Sequence, residues 1–181
     1  LLAHNSRCCL VGSVTLPSGA GATTQWTPSA GANWQNVDEF PAPNNDTDYN
    51  ETATLNNIDL FTHGVSGLAA PETVEAAVIV LRARRTVTGG ATPTLRAVAR
   101  VGGVNFFTAS QSMANDLVYN EFIFVFTLNP ATSLPWTAGE YDAAEFGYQL
   151  TAAPGAGNIR VTTCWPAASN TDWTSGTAEA Y

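Results

Sequence analysis

The sequence predicts an all-β protein, an antiparallel β-sandwich that is jelly-roll-like and has at most one short helix. Three observations predict this fold class. Short segments of strand composition follow one another along the 181 residues, turn residues separate these segments, and long helical patterns between them are missing. Short strands at this spacing are typical of sandwiches and barrels.

We expect one domain over residues 1–181, with a short N-terminal arm at 1–9 and a polar C-terminal tail at 166–181. Pro, Gly, Asn and Ser clusters mark the turns between strands. The strands are expected near 10–16, 23–27, 34–37, 58–62, 74–85, 94–101, 104–108, 121–128, 145–150 and 158–165.

The clearest strand is 121–128, where apolar side chains alternate with others. Phe122, Phe124, Phe126 and Leu128 share one face, which we expect to be core because each ring buries roughly 150–250 Å². The opposite face is half apolar, which indicates cover by a loop or a neighbouring subunit.

Segments 74–85 and 94–101 resemble a long hairpin around Gly89-Gly90. Most of the arginines fall here, and a shift of one residue in the turn would reverse the face they occupy. The sequence therefore leaves open whether they form one patch. They could decorate a solvated sheet face or form an ion-pair surface for an acidic partner. The arginines are Arg82, Arg84, Arg85, Arg96 and Arg100.

A single short helix is expected after Pro135-Trp136. Thr137 is suited to the N-cap position, and Glu140 follows at the spacing of a capping box.

Composition excludes several function classes. Lys and Arg together number 7 against 15 acidic residues, so the net charge is −8. Nucleic-acid binding needs a basic face that displaces counterions, and docking on anionic membranes needs the same charge. The longest apolar run, 76–81, is far shorter than the about 20 residues of a spanning helix. We therefore expect no nucleic acid and no membrane among the partners.

The three cysteines, Cys8, Cys9 and Cys164, are an odd number, so one thiol at least is unpaired within the chain or bonds another chain. Adjacent cysteines cannot easily bond each other, because a disulfide prefers Cα atoms about 5.5–6 Å apart. One interpretation is three small buried residues. The other is an inter-subunit disulfide through the N-terminal arm.

Motifs of common enzymes and cofactor sites are missing. The sequence has no G-x-S-x-G, H-E-x-x-H, G-x-x-x-x-G-K or G-x-G-x-x-G. We predict no catalytic residue, no cofactor and no metal site. Within the loop Asn44–Glu51, the oxygen-bearing residues Asp46, Asp48 and Asn50 match half of a calcium loop, but the required Gly and the final Glu are absent. A looser cation site or a polar loop with Asx-turns both remain open.

Carboxylate pairs for sugar cleavage are a further option, since glycosidases place two of them about 5–9.5 Å apart. Tryptophans could stack on sugars or serve as core and interface anchors, which we favour. The acids are Asp38, Glu39, Glu140, Asp142 and Glu145, and the tryptophans are Trp26, Trp34, Trp136, Trp165 and Trp173.

The order of several short segments resembles a group of tailed-bacteriophage and prophage virion proteins of about this size. The resemblance runs from Trp34 to Thr163, and it implies a β-sandwich, a structural role in the virion and no catalytic residue. The matching segments are 34–41, the Asn/Asp run, 58–61, 74–85 with its Arg-Ala-Arg, 129–132, 135–137, 144–148 and 159–162.

We therefore expect a non-enzymatic virion protein that decorates or cements the capsid shell. Its partners would be the major capsid protein or other virion proteins, and copies would associate with closed symmetry. The alternative is a receptor- or glycan-binding module of a phage fibre or tail. A carbohydrate-active enzyme ranks last, because no paired-acid motif is visible.

Overall fold

The structure, a computed structural model, describes residues 13–40, 42, 45–68, 73–114 and 117–169. These residues form strands, a 3₁₀ helix at Asn33–Asn36 and one short α-helix, α1, at Ala138–Ala143. The strands are β1 Ser13–Val14, β2 Pro17–Thr24, β3 Thr27–Pro28, β4 Asn50–Thr52, β5 Ile58–His63, β6 Thr73–Val74, β7 Ala76–Arg85, β8 Thr94–Val101, β9 Val104–Phe107, β10 Gln111–Ser112, β11 Asn120–Phe126, β12 Trp136–Thr137, β13 Glu145–Ala152 and β14 Ile159–Ser169.

The strands form two antiparallel sheets and a small ribbon. The front sheet has the order β11-β7-β14-β4-β3, with β1 beside β14, and the back sheet has the order β10-β8-β13-β5-β2, with β9 beside β8. β12 pairs with β6 in the ribbon. Hydrophobic side chains from both sheets meet in one buried cluster, so the molecule is a β-sandwich.

The order in which the chain visits the sheets is that of a jelly roll. The chain runs through β4, β5, β7 and β8, changing sheet at each step, and it later returns through β11, β13 and β14 in the same alternation. β14 lies between β4 and β7, while β13 lies between β5 and β8. This nesting of late strands between early ones is the double Greek key of a jelly roll. The predicted fold class is confirmed.

The alternation in β11 divides core from surface as predicted. Phe122, Phe124 and Phe126 are buried against the cluster, whereas Ile123 and Val125 are exposed. The prediction for Leu128 is wrong, because its side chain is 44% exposed. The strand ends at Phe126, so period-two alternation no longer governs the residues that follow.

The predicted hairpin of 74–85 and 94–101 does not form. β7 belongs to the front sheet and β8 to the back sheet. Both edges of β7 are occupied, by β11 and β14, so no edge is left for β8. The chain crosses between the sheets after the buried Arg85, whose guanidinium hydrogen-bonds the Gly89 carbonyl.

The strand predicted at 34–37 is instead the 3₁₀ helix. The side-chain amide of Asn33 donates to the Trp26 carbonyl at 2.7 Å and to Asp59 Oδ2 at 2.7 Å. These bonds fix the first residue of the helix. β4 lies at the end of the acidic run that we expected to be a loop. Its side chains alternate too briefly for a strand to be visible in the sequence.

The predicted helix is confirmed as α1. The Glu140 amide donates to Thr137 Oγ1 at 3.2 Å, and the Thr137 amide donates to Glu140 Oε2 at 2.9 Å. This is the reciprocal capping box that the sequence indicates.

Residues 166–169 continue β14 rather than beginning the predicted tail, while residues 170–181 and the arm at 1–9 lie outside the described residues. Among the helices that the structure describes, none has the length and apolar character needed to cross a membrane.

Candidate functional site

The outer face of the front sheet carries a cluster of arginines at its centre. β7 and β14 pair so that Arg84 lies directly opposite Arg160. Arg82 lies on the same face of β7, since side chains two residues apart point to the same side. Like charges placed opposite each other in a sheet destabilise it, so this arrangement needs a carboxylate between the two guanidiniums.

Asp46 supplies that carboxylate. Its Oδ1 accepts from Arg84 Nη2 at 2.7 Å and from Arg160 Nη1 at 3.1 Å. The Tyr119 hydroxyl donates to the same oxygen at 3.0 Å. Burial would raise the pKa of Asp46, but the hydrogen bonds from Arg84, Tyr119 and Arg160 outweigh it and lower the pKa below its ordinary value. The carboxylate is therefore ionised at neutral pH.

Two further acids complete the cluster. Arg160 Nε donates to Glu51 Oε2 at 2.9 Å, and Arg82 Nη1 lies 3.6 Å from Glu121 Oε1. Three positive charges thus face three negative ones, and the cluster is neutral. We call these six charged residues, together with Tyr49 and Tyr119, the front network.

The two tyrosines flank the ionic pairs. The Arg84 guanidinium carbon lies 5.2 Å from the centre of the Tyr119 ring, and that of Arg160 lies 3.8 Å from the Tyr49 ring. Tyr119 precedes β11 and Tyr49 precedes β4, two strands that β7 and β14 separate in the front sheet. Burial raises the pKa of Tyr119 to about 12, which keeps its hydroxyl protonated as a donor.

The front network presents both hydrogen-bond donors and hydrogen-bond acceptors to solvent. All the bonds that Asp46 accepts from described residues end on Oδ1, and the side chain is 51% exposed. A sugar hydroxyl both donates and accepts. Neighbouring carboxylate and guanidinium groups match that chemistry, and rings beside them offer apolar contact.

An apolar stripe continues the same face beyond the network. Ile123, Val80 and Trp165 lie side by side on three adjacent strands. The Phe40 ring meets Trp165 edge-on, with 5.4 Å between ring centres, and Phe40 is 49% exposed.

A buried polar network supports Tyr49 from beneath. Asn50, the first residue of β4, accepts from Asn36 Nδ2 at 3.1 Å and donates to the Tyr148 hydroxyl at 3.0 Å. Asn50 also donates to the Asn33 carbonyl at 2.8 Å. These bonds hold the start of β4, and therefore Tyr49, in a fixed position.

The loop Asn44–Glu51 does not gather its acids around a cation. Asp46 faces the arginines, Asn50 is buried, and Asp48 hydrogen-bonds Glu39. Burial and this contact raise the pKa of Glu39 to about 8, so the Glu39 carboxyl keeps its proton at neutral pH. Among the described residues, no group of three or more His, Cys, Asp or Glu side chains is placed to bind a metal ion.

Three other acids that the sequence singled out, Glu140, Asp142 and Glu145, have structural partners. Glu140 caps α1, and Glu145 Oε2 accepts from the Ala22 amide at 2.8 Å. Asp142 accepts from the Ser66 amide at 2.8 Å.

Cys164 is a buried free thiol, and burial raises its pKa. Cys8 and Cys9 lie outside the described residues, and the inter-subunit disulfide stays a prediction. Of the tryptophans, Trp26 and Trp136 are buried in the core, which fits their interpretation as core anchors. Trp173 is not among the described residues.

The front network is not visible as a site in the sequence. The sequence indicates Arg82, Arg84 and Asp46 separately, and it leaves open whether Asp46 belongs to a looser cation site or to a polar loop with Asx-turns. Tyr49 and Tyr119 carried no signal, because each stands alone in a polar turn. The pairings of β7 with β11 and β14, and of β14 with β4, bring these residues together.

No family model matches the chain, and no curated protein matches it. Among solved structures, the chain is similar to the xylan-binding module CBM15, with 14% identity and a TM-score of 0.48, over 88% of this chain and 97% of that one. It is also similar to endo-1,4-beta-D-xylanase 10B of Clostridium thermocellum, in its CBM22-1 and GH10 modules with xylohexaose, with 7% identity and a TM-score of 0.49. That match covers 92% of this chain but 30% of the xylanase chain.

The resemblance to virion proteins stays a prediction beside these findings. The fold assignment rests on the strand order and register described above.

Proposed function

We propose that the chain is a non-catalytic module that binds a neutral polysaccharide on the outer face of its front sheet. The observation that carries the proposal is the front network, in which two tyrosines flank a charge-balanced set of guanidinium and carboxylate groups. Sugar-binding surfaces need flat apolar contact together with paired donors and acceptors, and the network supplies both on one rigid sheet.

The charge balance selects a neutral ligand. The three arginines of the network are already paired with Asp46, Glu51 and Glu121, so they offer hydrogen bonds rather than net positive charge. The chain as a whole carries −8, which repels a polyanion at low salt. A neutral polysaccharide needs no net positive charge to bind, and the negative charge of the chain does not repel it.

The carboxyl geometry supports binding rather than cleavage. Asp46 has a lowered pKa, whereas a general acid for glycoside cleavage needs a raised one. Glu39 has a raised pKa, but its carboxyl is hydrogen-bonded to Asp48. Glycosidases hold their carboxyls about 5 Å apart or more so that the scissile bond fits between them.

The proposal is tested by titrating the protein with soluble neutral polysaccharides, such as xylan, mannan and mixed-linkage glucan, in a calorimeter. We expect at least one to bind, and Tyr49→Ala and Tyr119→Ala each to weaken it by about 2- to 12-fold, the range of an aromatic contact of about 0.5–1.5 kcal/mol. Thr62→Ala, an exposed change on the back sheet, is the matched control and should leave the affinity unchanged.

Thermal melts establish that each variant is folded. The proposal fails if no neutral polysaccharide binds. It also fails if Thr62→Ala weakens binding as much as the tyrosine variants do.

A second candidate is the structural role in a virion. It is supported by the exposed apolar side chains of β11, Ile123 and Val125, which lie on the edge strand of the front sheet. Exposed apolar patches of this kind favour protein contacts. If this role holds, light scattering will show concentration-dependent association that Ile123→Asp abolishes, whereas a strictly monomeric protein would contradict it.

A further inference from the structure

Two arginines on the back sheet differ from those of the front network. The four ion pairs between described residues all involve Arg82, Arg84 or Arg160. Arg96 and Arg100, both from β8, have no carboxylate of the described residues within ion-pair distance. They project from the outer face of the back sheet, where side chains four residues apart on one strand share a side.

Arg96 is held in a fixed position by neutral groups. Its guanidinium carbon lies 3.9 Å from the centre of the Phe107 ring. Its Nε donates to Gln149 Oε1 at 2.7 Å, and Gln149 Nε2 in turn donates to the Asn56 carbonyl at 3.0 Å. Both terminal nitrogens of Arg96 therefore keep N–H donors that no described residue accepts. Burial lowers the pKa of Arg96, since no acid offsets the loss of hydration.

Arg100 lies four residues further along β8 and also contacts β9. Its Nη1 donates to Asn105 Oδ1 at 2.9 Å. Asn105 and Phe107, the β9 residues that the two guanidiniums contact, are two residues apart on one face and therefore about 7 Å apart. Glu145 lies opposite Arg100 in register, but its carboxylate accepts the Ala22 amide.

Hydroxyl groups extend this surface next to Arg96. Thr94 and Thr151 share a hydrogen bond of 2.6 Å, and Thr151 donates to Ser110 at 2.9 Å. β8 is paired on both edges, by β13 on one side and by β9 and β10 on the other. A ligand here cannot add as a strand, as an extended peptide would, so side chains alone must recognise it.

We propose that Arg96 and Arg100 form a second binding site, on the back sheet, for an acidic oligosaccharide that carries successive uronic acid carboxylates. A guanidinium presents N–H donors in a planar fork that matches a carboxylate. Two such groups on one sheet face select a ligand that repeats its carboxylates, and the neighbouring hydroxyls suit a sugar. The negative charge of the whole chain is largely screened beyond about 8 Å at physiological salt.

The site is independent of the neutral-glycan site, because it lies on the other sheet and binds the opposite class of polysaccharide. The test is a calorimetric titration of the intact chain with tetragalacturonate at physiological salt. The same oligosaccharide with its carboxyls reduced to alcohols, galacturonate monomer and a tetraglutamate peptide are the comparison ligands.

We expect tetragalacturonate to bind, and the carboxyl-reduced oligosaccharide, the monomer and the peptide each to bind at least tenfold more weakly. Arg96→Gln and Arg100→Gln should each weaken tetragalacturonate binding about tenfold or more, the effect of losing a hydrogen bond to a charged group. Arg82→Gln removes the same charge from the front sheet and should leave this affinity within about twofold.

The proposal is overturned if tetragalacturonate does not bind, or if the reduced oligosaccharide, the monomer or the peptide binds equally well. It is also overturned if Arg82→Gln has the same effect as the two back-sheet variants, since binding would then follow net charge alone. Failure of neutral polysaccharides to bind would refute the proposed function and leave this result unaffected.

Discussion

Replacing Phe124 and Ile123 one at a time by alanine tests the architecture on which both faces depend. The two residues are neighbours on β11 but point to opposite sides, with exposed fractions of 3% and 41%. Phe124 packs next to Ile79 of β7, which is fully buried. A side chain that buries about 150–250 Å² contributes roughly 4–6 kcal/mol at about 25 cal/mol per Å².

Alanine retains part of that contribution, so Phe124→Ala should lower the free energy of unfolding by about 4 kcal/mol, within the usual range for such core truncations. Ile123 buries little more than half of a smaller side chain, and Ile123→Ala should cost about 1 kcal/mol. Urea unfolding followed by both tryptophan fluorescence and circular dichroism measures these values, and coincident transitions show two-state behaviour. If Ile123→Ala costs as much as Phe124→Ala, the assignment of inner and outer faces is refuted.

Three further predictions concern charge, close packing and site support. The Glu39→Gln variant should become more stable relative to the native chain as pH rises from 4.5 to 8. In this range the folded native chain retains a proton on Glu39 that the unfolded chain releases, so its own stability falls. Urea midpoints of both proteins across this pH range measure the difference. Gly147→Ala should cost about 3 kcal/mol or more, because the added Cβ would overlap the Asp59 carbonyl oxygen, whereas Gly139→Ala, in open space on α1, should gain about 1 kcal/mol. Asn50→Ala should cost about 2–3 kcal/mol and also weaken neutral-glycan binding.

Each of these has an outcome that contradicts it. A pH profile for Glu39→Gln that parallels the native one would mean that Glu39 titrates normally. Equal melting temperatures for the two glycine variants would contradict the close approach of β13 to β5 at Gly147. Normal glycan affinity in a destabilised Asn50→Ala protein would show that the buried bonds of Asn50 do not position the candidate site.

Local patterns in the sequence predicted local structure well. The alternation at Phe122 to Phe126 identified a strand because one face of it is core, and Thr137 with Glu140 identified the helix start because a capping box involves only neighbouring residues. The same logic failed at 34–37, where the bonds from Asn33 to Trp26 and Asp59 decide the conformation. Both partners lie outside the segment, Asp59 by more than twenty residues, and the pattern of residues 34–37 does not contain them.

Pairing between distant strands set the limit of prediction for the sheets and for the candidate site. Segments 74–85 and 94–101 look like a hairpin because they are adjacent in sequence, but β7 takes both its partners from much later residues. The same register places Arg160 opposite Arg84 and brings Asp46 between them. The sequence contains these two arginines and the aspartate, but it does not show that they are in contact. Their contact depends on the register of two strands that are more than seventy residues apart in the chain.

The central place of β14 has a consequence for the order of events during synthesis. This last described strand separates β7 from β4 and also pairs with β1, so the front sheet has a gap at its middle until residue 169 has left the ribosome. Such high contact order slows folding, and the nascent chain meanwhile exposes two open strand edges that can pair with other chains. A translational pause before residue 159 should therefore promote aggregation.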